Sequence, residues 1–148
     1  MDQNAKKRNE LLAQQMIKAL ESRNMEAYYA ENKEEAPCKA LELMPEGSSV
    51  AWGGSMSVKE IGLIKAVHER NYEVYDRDLA KTPEERTEIT KKAFFSDFFL
   101  ASSNAITEDG ILVNIDGYAN RVAAIAYGPK NVLMIIGMNK VVRSEEDA

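Results

Sequence analysis

Ser49-Val50-Ala51-Trp52-Gly53-Gly54-Ser55 is the stretch whose reading decides the fold. Residues 49–52 read as a short buried strand, with Val50, Ala51 and Trp52 an unbroken apolar run. Two glycines follow at once, allowing the main chain to turn sharply and bare its amides. Ser57 then precedes Glu60 by three residues, the spacing of a capping box that opens a helix. Ile61, Leu63, Ile64 and Val67 give this helix an apolar side, and His68-Glu69-Arg70-Asn71 closes it, with Asn71 suited to a left-handed cap.

Downstream the alternation continues. Residues 72–75 form a strand and 76–80 its loop. Thr82-Pro83-Glu84-Glu85 opens a helix with Thr as cap, Pro at the first position and acids in the first turn; it runs to about Ser96. Residues 98–102 read as a strand. Ile106-Thr107 and the run 111–115 flank Glu108-Asp109-Gly110, a hairpin signature. Residues 121–126 are helical or irregular, Gly128-Pro129 stops them, and the apolar run 131–138 reads as a central parallel strand. Strand and helix in this order imply parallel neighbours joined by right-handed crossovers: a three-layer α/β/α fold with a mostly parallel sheet and one local hairpin.

Upstream, Leu12, Met16 and Leu20 recur at helical spacing within residues 2–30, and residues 34–44 form a second helix stopped at Pro45-Glu46-Gly47. The expected organisation is an N-terminal helical arm over 1–44 and an α/β domain over 45–148. The arm can pack on the core or pair with a second subunit as a homodimer; the sequence does not choose. Ser144-Glu145-Glu146-Asp147 reads as the start of another helix, so the domain is expected to be truncated at its C-terminal end.

Composition narrows the function classes. The chain has 148 residues, 45% apolar and 29% charged, which favours one domain with a sizeable core. The net charge is −5 and the basic residues are scattered, so no nucleic-acid footprint is present. No apolar run is long enough for a membrane span or an export signal, and the expected location is the cytoplasm. Cys38, the single cysteine, has no partner for a disulfide or zinc set and reads as a packed or partly exposed thiol.

Three stretches in order carry a family resemblance. They are Ala51-Trp52-Gly53-Gly54-Ser55-Met56-Ser57-Val58-Lys59-Glu60-Ile61-Gly62-Leu63, then Ser103-Asn104-Ala105-Ile106-Thr107-Glu108-Asp109-Gly110-Ile111-Leu112-Val113-Asn114-Ile115-Asp116-Gly117, then Asn120-Arg121-Val122-Ala123-Ala124. Tyr127-Gly128-Pro129-Lys130 and Gly137-Met138-Asn139-Lys140-Val141-Val142 stand behind them. Over roughly residues 45–148 the set resembles the lactate-utilisation (LUD, YkgG-like) family. The resemblance implies a fold similar to the superfamily of glucosamine-phosphate deaminase, ribose-phosphate isomerase and CoA-transferases. It also implies a role in bacterial lactate oxidation beside iron–sulfur partners. Two departures stand out. Ala119 occupies the place where the family usually has Gly before the Asn-Arg pair, so positive φ is expected to be avoided there. The cysteine-rich segment of short family members is absent from this sequence, so no cluster is carried over, and the cofactor stays unknown: no iron–sulfur, flavin or nicotinamide signature is legible.

The candidate ligand-binding residues are Gly53, Gly54, Ser55, Asn104, Asn114, Asp116, Asn120, Arg121 and Lys140. The glycine turn before a helix suits a small anion, carboxylate or phosphate, though a bare strand-to-helix turn has the same sequence. Asn104, Asn114, Asp116 and Asn120 fall at strand ends and turns, where they can meet a ligand or satisfy turn backbone. Arg121 needs an anionic partner, either a ligand carboxylate or an internal acid. Lys140 can neutralise an anion or sit solvated. The catalytic residues stay unknown, with Glu60 and Asp116 as the candidates; Glu60 serves equally as half of a capping box. His68 reads as an exposed helix-end residue. No metal set, Ser-His-Asp set or carboxylate dyad is legible. Three functions follow: a contributor to lactate or small hydroxy-acid utilisation that binds a small anion, with its own catalysis open; a non-enzymatic regulatory or assembly module; or, by fold analogy, an isomerase- or transferase-like enzyme on a sugar phosphate or acyl-CoA.

Overall fold

The computed structural model describes residues 2–148. Its main sheet is wholly parallel, with strands β1 (Ser49–Trp52), β2 (Glu73–Tyr75), β3 (Phe98–Ala101) and β6 (Asn131–Met134) in the spatial order β2-β1-β3-β6. Val50 pairs with Val74 on one side and with Phe98 on the other, so β1 is central, and all four of its residues are buried. Helices α3 (Met56–Glu60) and α4 (Leu63–Glu69), with α2 (Glu35–Leu43), cover one face, where Val50, Trp52 and Leu100 meet Val58, Leu63, Val67, Ala40 and Met44. On the other face Ala51, Phe99 and Ala101 meet Ala93, which follows α5 (Pro83–Lys92), and Ala124 of α6 (Asn120–Ala126). Side chains alternating from one strand to opposite faces produce these two cores, and hence the three layers.

Several local expectations are corrected. The helix after β1 is capped by Ser55, whose Oγ accepts the Val58 N–H, and not by Ser57. It is also two helices, because Gly62 at φ 73° breaks it between α3 and α4. Asn71 is no left-handed cap; Arg70, in extended geometry, ends α4. The run 131–138 supplies β6, an edge strand and not a central one, and it is only half-buried. Ala119 adopts φ 60° in spite of its Cβ. Left-handed backbone costs an L-residue about 1–2 kcal/mol; Asp116 and Arg121, bonded across this bend, hold it in place. Thr82 caps α5 as expected, accepting the Glu85 N–H.

The hairpin is present as β4 (Ala105–Thr107) and β5 (Leu112–Val113), closed by Gly110 at φ 87°. It belongs to a second, small sheet, where β7 (Val141–Val142) pairs parallel to β4. That pairing brings residue 140 back over the end of β3. The segment expected as an arm contains α1 (Gln3–Ser22) and α2. Ala40 and Met44 lie in the main core, and Arg23, just after α1, donates to the Asp109 carbonyl at 3.1 Å. The segment 144–147 ends in a 3-10 turn at Glu145–Asp147.

At the amino ends of the two inner strands Asp97 ties β1 to β3. Its Oδ2 accepts the Ser49 amide at 2.9 Å and its Oδ1 meets the Lys130 ammonium at 3.0 Å. The Ser49 amide first, then Lys130, holds this carboxyl below its usual range.

Candidate functional site

The strand order places a topological switch at β1 and β3. From β1 the chain departs through Gly53 to α3 on one face; from β3 it departs through Ser102 to the small sheet and then to α6 on the other. Diverging connections at neighbouring parallel strands open a crevice at their carboxyl ends, the place where ligands dock in such sheets. The residues around this crevice fall into three groups.

In the first group the Lys140 ammonium donates to Ser102 Oγ at 2.9 Å and to Ser57 Oγ at 3.2 Å. The two hydroxyls are 3.5 Å apart. Ser102 is buried, Ser57 and Lys140 are half-buried, and among the described residues no carboxylate pairs with Lys140. A half-buried cation held only by neutral hydroxyls keeps its charge uncompensated and one N–H unused, which is the chemistry of an anion site. Ser103 Oγ, next in sequence and 1% exposed, has no partner among the described residues.

Arg121 heads the second group. Its Nε donates to Asp116 Oδ1 at 2.9 Å, its Nη1 to the Ser102 carbonyl at 2.6 Å, and its Nη2 to Asn104 Oδ1 at 2.8 Å and the Ile115 carbonyl at 3.2 Å. Asp116 Oδ2 in turn accepts the Val122 N–H at 2.7 Å, and Asn104 Oδ1 accepts the Ile115 N–H at 3.0 Å. The side chains of Arg121 and Asp116 are each 14% exposed. The partner that Arg121 requires is thus internal, and the guanidinium ties the ends of β3, the loop after β5 and the start of α6 together.

The third group surrounds the glycine turn. Gly53 is buried; a Cβ there would lie 3.7 Å from Arg121 Cγ and from Phe99 Cζ. Gly54 is exposed, and a Cβ on it would lie 3.1 Å from Nη2 of Arg77. Ser55 directs its hydroxyl to the cap and its N–H to the Gly53 carbonyl at 3.1 Å. Since α3 has five residues, its dipole adds little, and positive potential at this edge must come from side chains. Asn120, half-buried at the start of α6, lines a narrow cleft with Trp52, Tyr75, Arg77, Phe94 and Phe99.

The crevice therefore gathers Gly53, Gly54, Ser55, Asn104, Asp116, Asn120, Arg121 and Lys140. Asn114, after β5, keeps a buried Oδ1 without a partner among the described residues. Glu60 stands apart, exposed at the end of α3. His68 is exposed, as read, but its Nε2 lies 2.9 Å from Asp76 Oδ2 and its ring meets Trp52 edge-on. Cys38 is exposed. Among the described residues no group of three or more His, Cys, Asp or Glu side chains is arranged to hold a metal, and no helix is long and apolar enough to cross a membrane.

The family model described as the LUD domain matches residues 13–148, nearly the whole chain. The chain belongs to the LUD-domain family. The match begins inside α1, upstream of the stretches that carry the resemblance in sequence, so the LUD domain takes in most of the N-terminal helices. Membership makes this a lactate-utilisation-associated protein at the family level. Among curated proteins and among solved structures, none matches the chain. Ser57, Ser102 and Arg77 were not singled out by sequence. Ser57 was hidden by its fit to a capping box. Ser102 directly follows β3 and Arg77 lies two residues after β2, and position at the carboxyl end of a parallel strand was the signal available for both.

Proposed function

We propose that this LUD domain binds the carboxylate of lactate or a similar small hydroxy acid at Lys140, between Ser57 and Ser102, and thereby contributes to hydroxy-acid utilisation. The observation that carries the reading is the Lys140 ammonium, held by two hydroxyls and, among the described residues, paired with no acid. An incoming carboxylate takes the remaining N–H and supplies the missing charge, and Ser57 and Ser102 can turn their protons toward it. Gly53 and Gly54 leave the crevice wall without side chains, and Arg121 fixes its floor by tying Ser102, Asn104 and Asp116 in place.

The domain acts as the ligand-holding member of a set in which iron–sulfur partners in the cytoplasm carry the electrons. The α/β/α layering fits the proposed relationship to the superfamily of sugar-phosphate isomerases and CoA-transferases.

Thermal unfolding with increasing L-lactate and pyruvate tests the reading. A ligand at one hundred times its dissociation constant stabilises by about 2.7 kcal/mol. For a chain of this size that raises Tm by about 5–10 °C. The rise is expected in the native protein and absent in Lys140→Met, whose own Tm stays close to native. No rise with either acid, or an equal rise in Lys140→Met, removes the proposal.

A further inference from the structure

We infer that the LUD domain has a second oxyanion site, distinct from Lys140, in which the Arg77 guanidinium and the Asn120 carboxamide receive a phosphate or carboxylate beside Gly54. Arg77 lies just after β2, in the turn Arg77–Leu79. It is flanked by two acids, and neither meets it. Asp76 directs Oδ2 to His68 at 2.9 Å and Oδ1 to the Asp78 N–H at 2.9 Å. Asp78 lies 3.7 Å from both Lys59 and Arg86. The Arg77 carbonyl accepts the Ala80 N–H at 3.2 Å, but among the described residues its guanidinium has no hydrogen bond or ion pair, although the residue is half-buried.

A half-buried guanidinium without an acid differs from a solvated surface arginine, because burial removes water without replacing its hydrogen bonds. Its placement is also specific. Nη2 lies close against the main chain at Gly54, 3.1 Å from the position of an added Cβ there, which it would clear by moving a few tenths of an ångström. Across the narrow cleft stands Asn120, whose side chain makes no hydrogen bond among the described residues. A guanidinium fork and a carboxamide N–H lining one cleft at the carboxyl ends of the strands offer a donor set for an oxyanion. The walls of Trp52, Tyr75, Phe94 and Phe99 close the cleft to little more than a water, so the anion is received at its mouth, beside exposed Gly54, and the rest of the ligand projects outward.

Trp52, the single tryptophan, lines this cleft and reports on it by fluorescence. Inorganic phosphate and acetate are titrated separately into native protein, Arg77→Gln, Arg77→Lys, Gly54→Ala and Lys140→Met. A saturable change in Trp52 emission is expected with at least one anion, and the anion that gives it distinguishes phosphate from carboxylate. Loss of a charged hydrogen-bond donor weakens binding by about tenfold or more, so Arg77→Gln shifts the midpoint by at least that factor. Arg77→Lys keeps the charge and lies between; Gly54→Ala moves the guanidinium by only a few tenths of an ångström, so its midpoint stays closer to native than that of Arg77→Gln. Lys140→Met loses the response to lactate and keeps this one, which separates the two sites. No saturable change with either anion, equal midpoints in native and Arg77→Gln protein, or loss of the signal in Lys140→Met overturns the inference.

Discussion

Replacing Arg121 with alanine tests whether the crevice is built around an internal ion pair. Four N–H donors of the guanidinium lose their acceptors together, and Asp116 keeps only the Val122 N–H. A hydrogen bond to a charged group contributes about 1.5–3 kcal/mol, and removing one partner of a buried pair costs about 3–5 kcal/mol. Both side chains are 14% exposed, so water recovers part of that loss. A destabilisation of about 3 kcal/mol results, which lowers Tm by about 6–12 °C in a chain of this size. Arg121→Lys preserves the charge without the planar fork and falls between. Urea unfolding gives the free energy, with an unchanged m-value confirming that the native state and not the unfolded chain is affected. Native-like stability of Arg121→Ala, combined with lost lactate binding, would refute the reasoning and make the guanidinium a ligand clamp.

The remaining predictions concern the frame. Gly128 has φ 125°, and a Cβ there would lie 2.9 Å from the Phe94 carbonyl oxygen, so Gly128→Ala costs at least about 2 kcal/mol in thermal unfolding. Gly62→Ala, at φ 73° with open space around it, loses only the left-handed strain of about 1 kcal/mol; equal costs at both sites contradict the packing described. A carboxyl held below its unfolded value stabilises the fold above that value, and this is lost as pH falls through the folded value. Asp97→Asn therefore flattens the acid limb of stability below about pH 4 and leaves the slope near neutrality unchanged; an unaltered acid limb refutes the role given to Ser49 and Lys130.

The layered parallel architecture was legible because β1 and β3 are short apolar runs followed at once by small residues, and because Thr82-Pro83 marks a helix start by local chemistry alone. What depends on distant partners was not. The place of β6 at the sheet edge is set by which strand pairs with β3, and local hydrophobicity says nothing of that. Capping was misassigned because Ser55 and Ser57 both precede a plausible first turn, and tertiary packing frees Ser57 to face Ser102 and Lys140. The second sheet rests on the pairing of Ile106 with Val141, thirty-odd residues apart in sequence, which no periodicity announces. At the site, the need of Arg121 for an acid was legible, while its pairing with Asp116 goes with the bend at Ala119 that the pair holds in place, which the sequence does not announce.

The most direct test of the central claim is a crystal structure of the protein grown with L-lactate. The account predicts the carboxylate within hydrogen-bonding distance of Lys140 Nζ and of the Ser57 and Ser102 hydroxyls, with the Arg121–Asp116 pair intact. Lactate bound elsewhere, or bound to an Arg121 that has left Asp116, would contradict it.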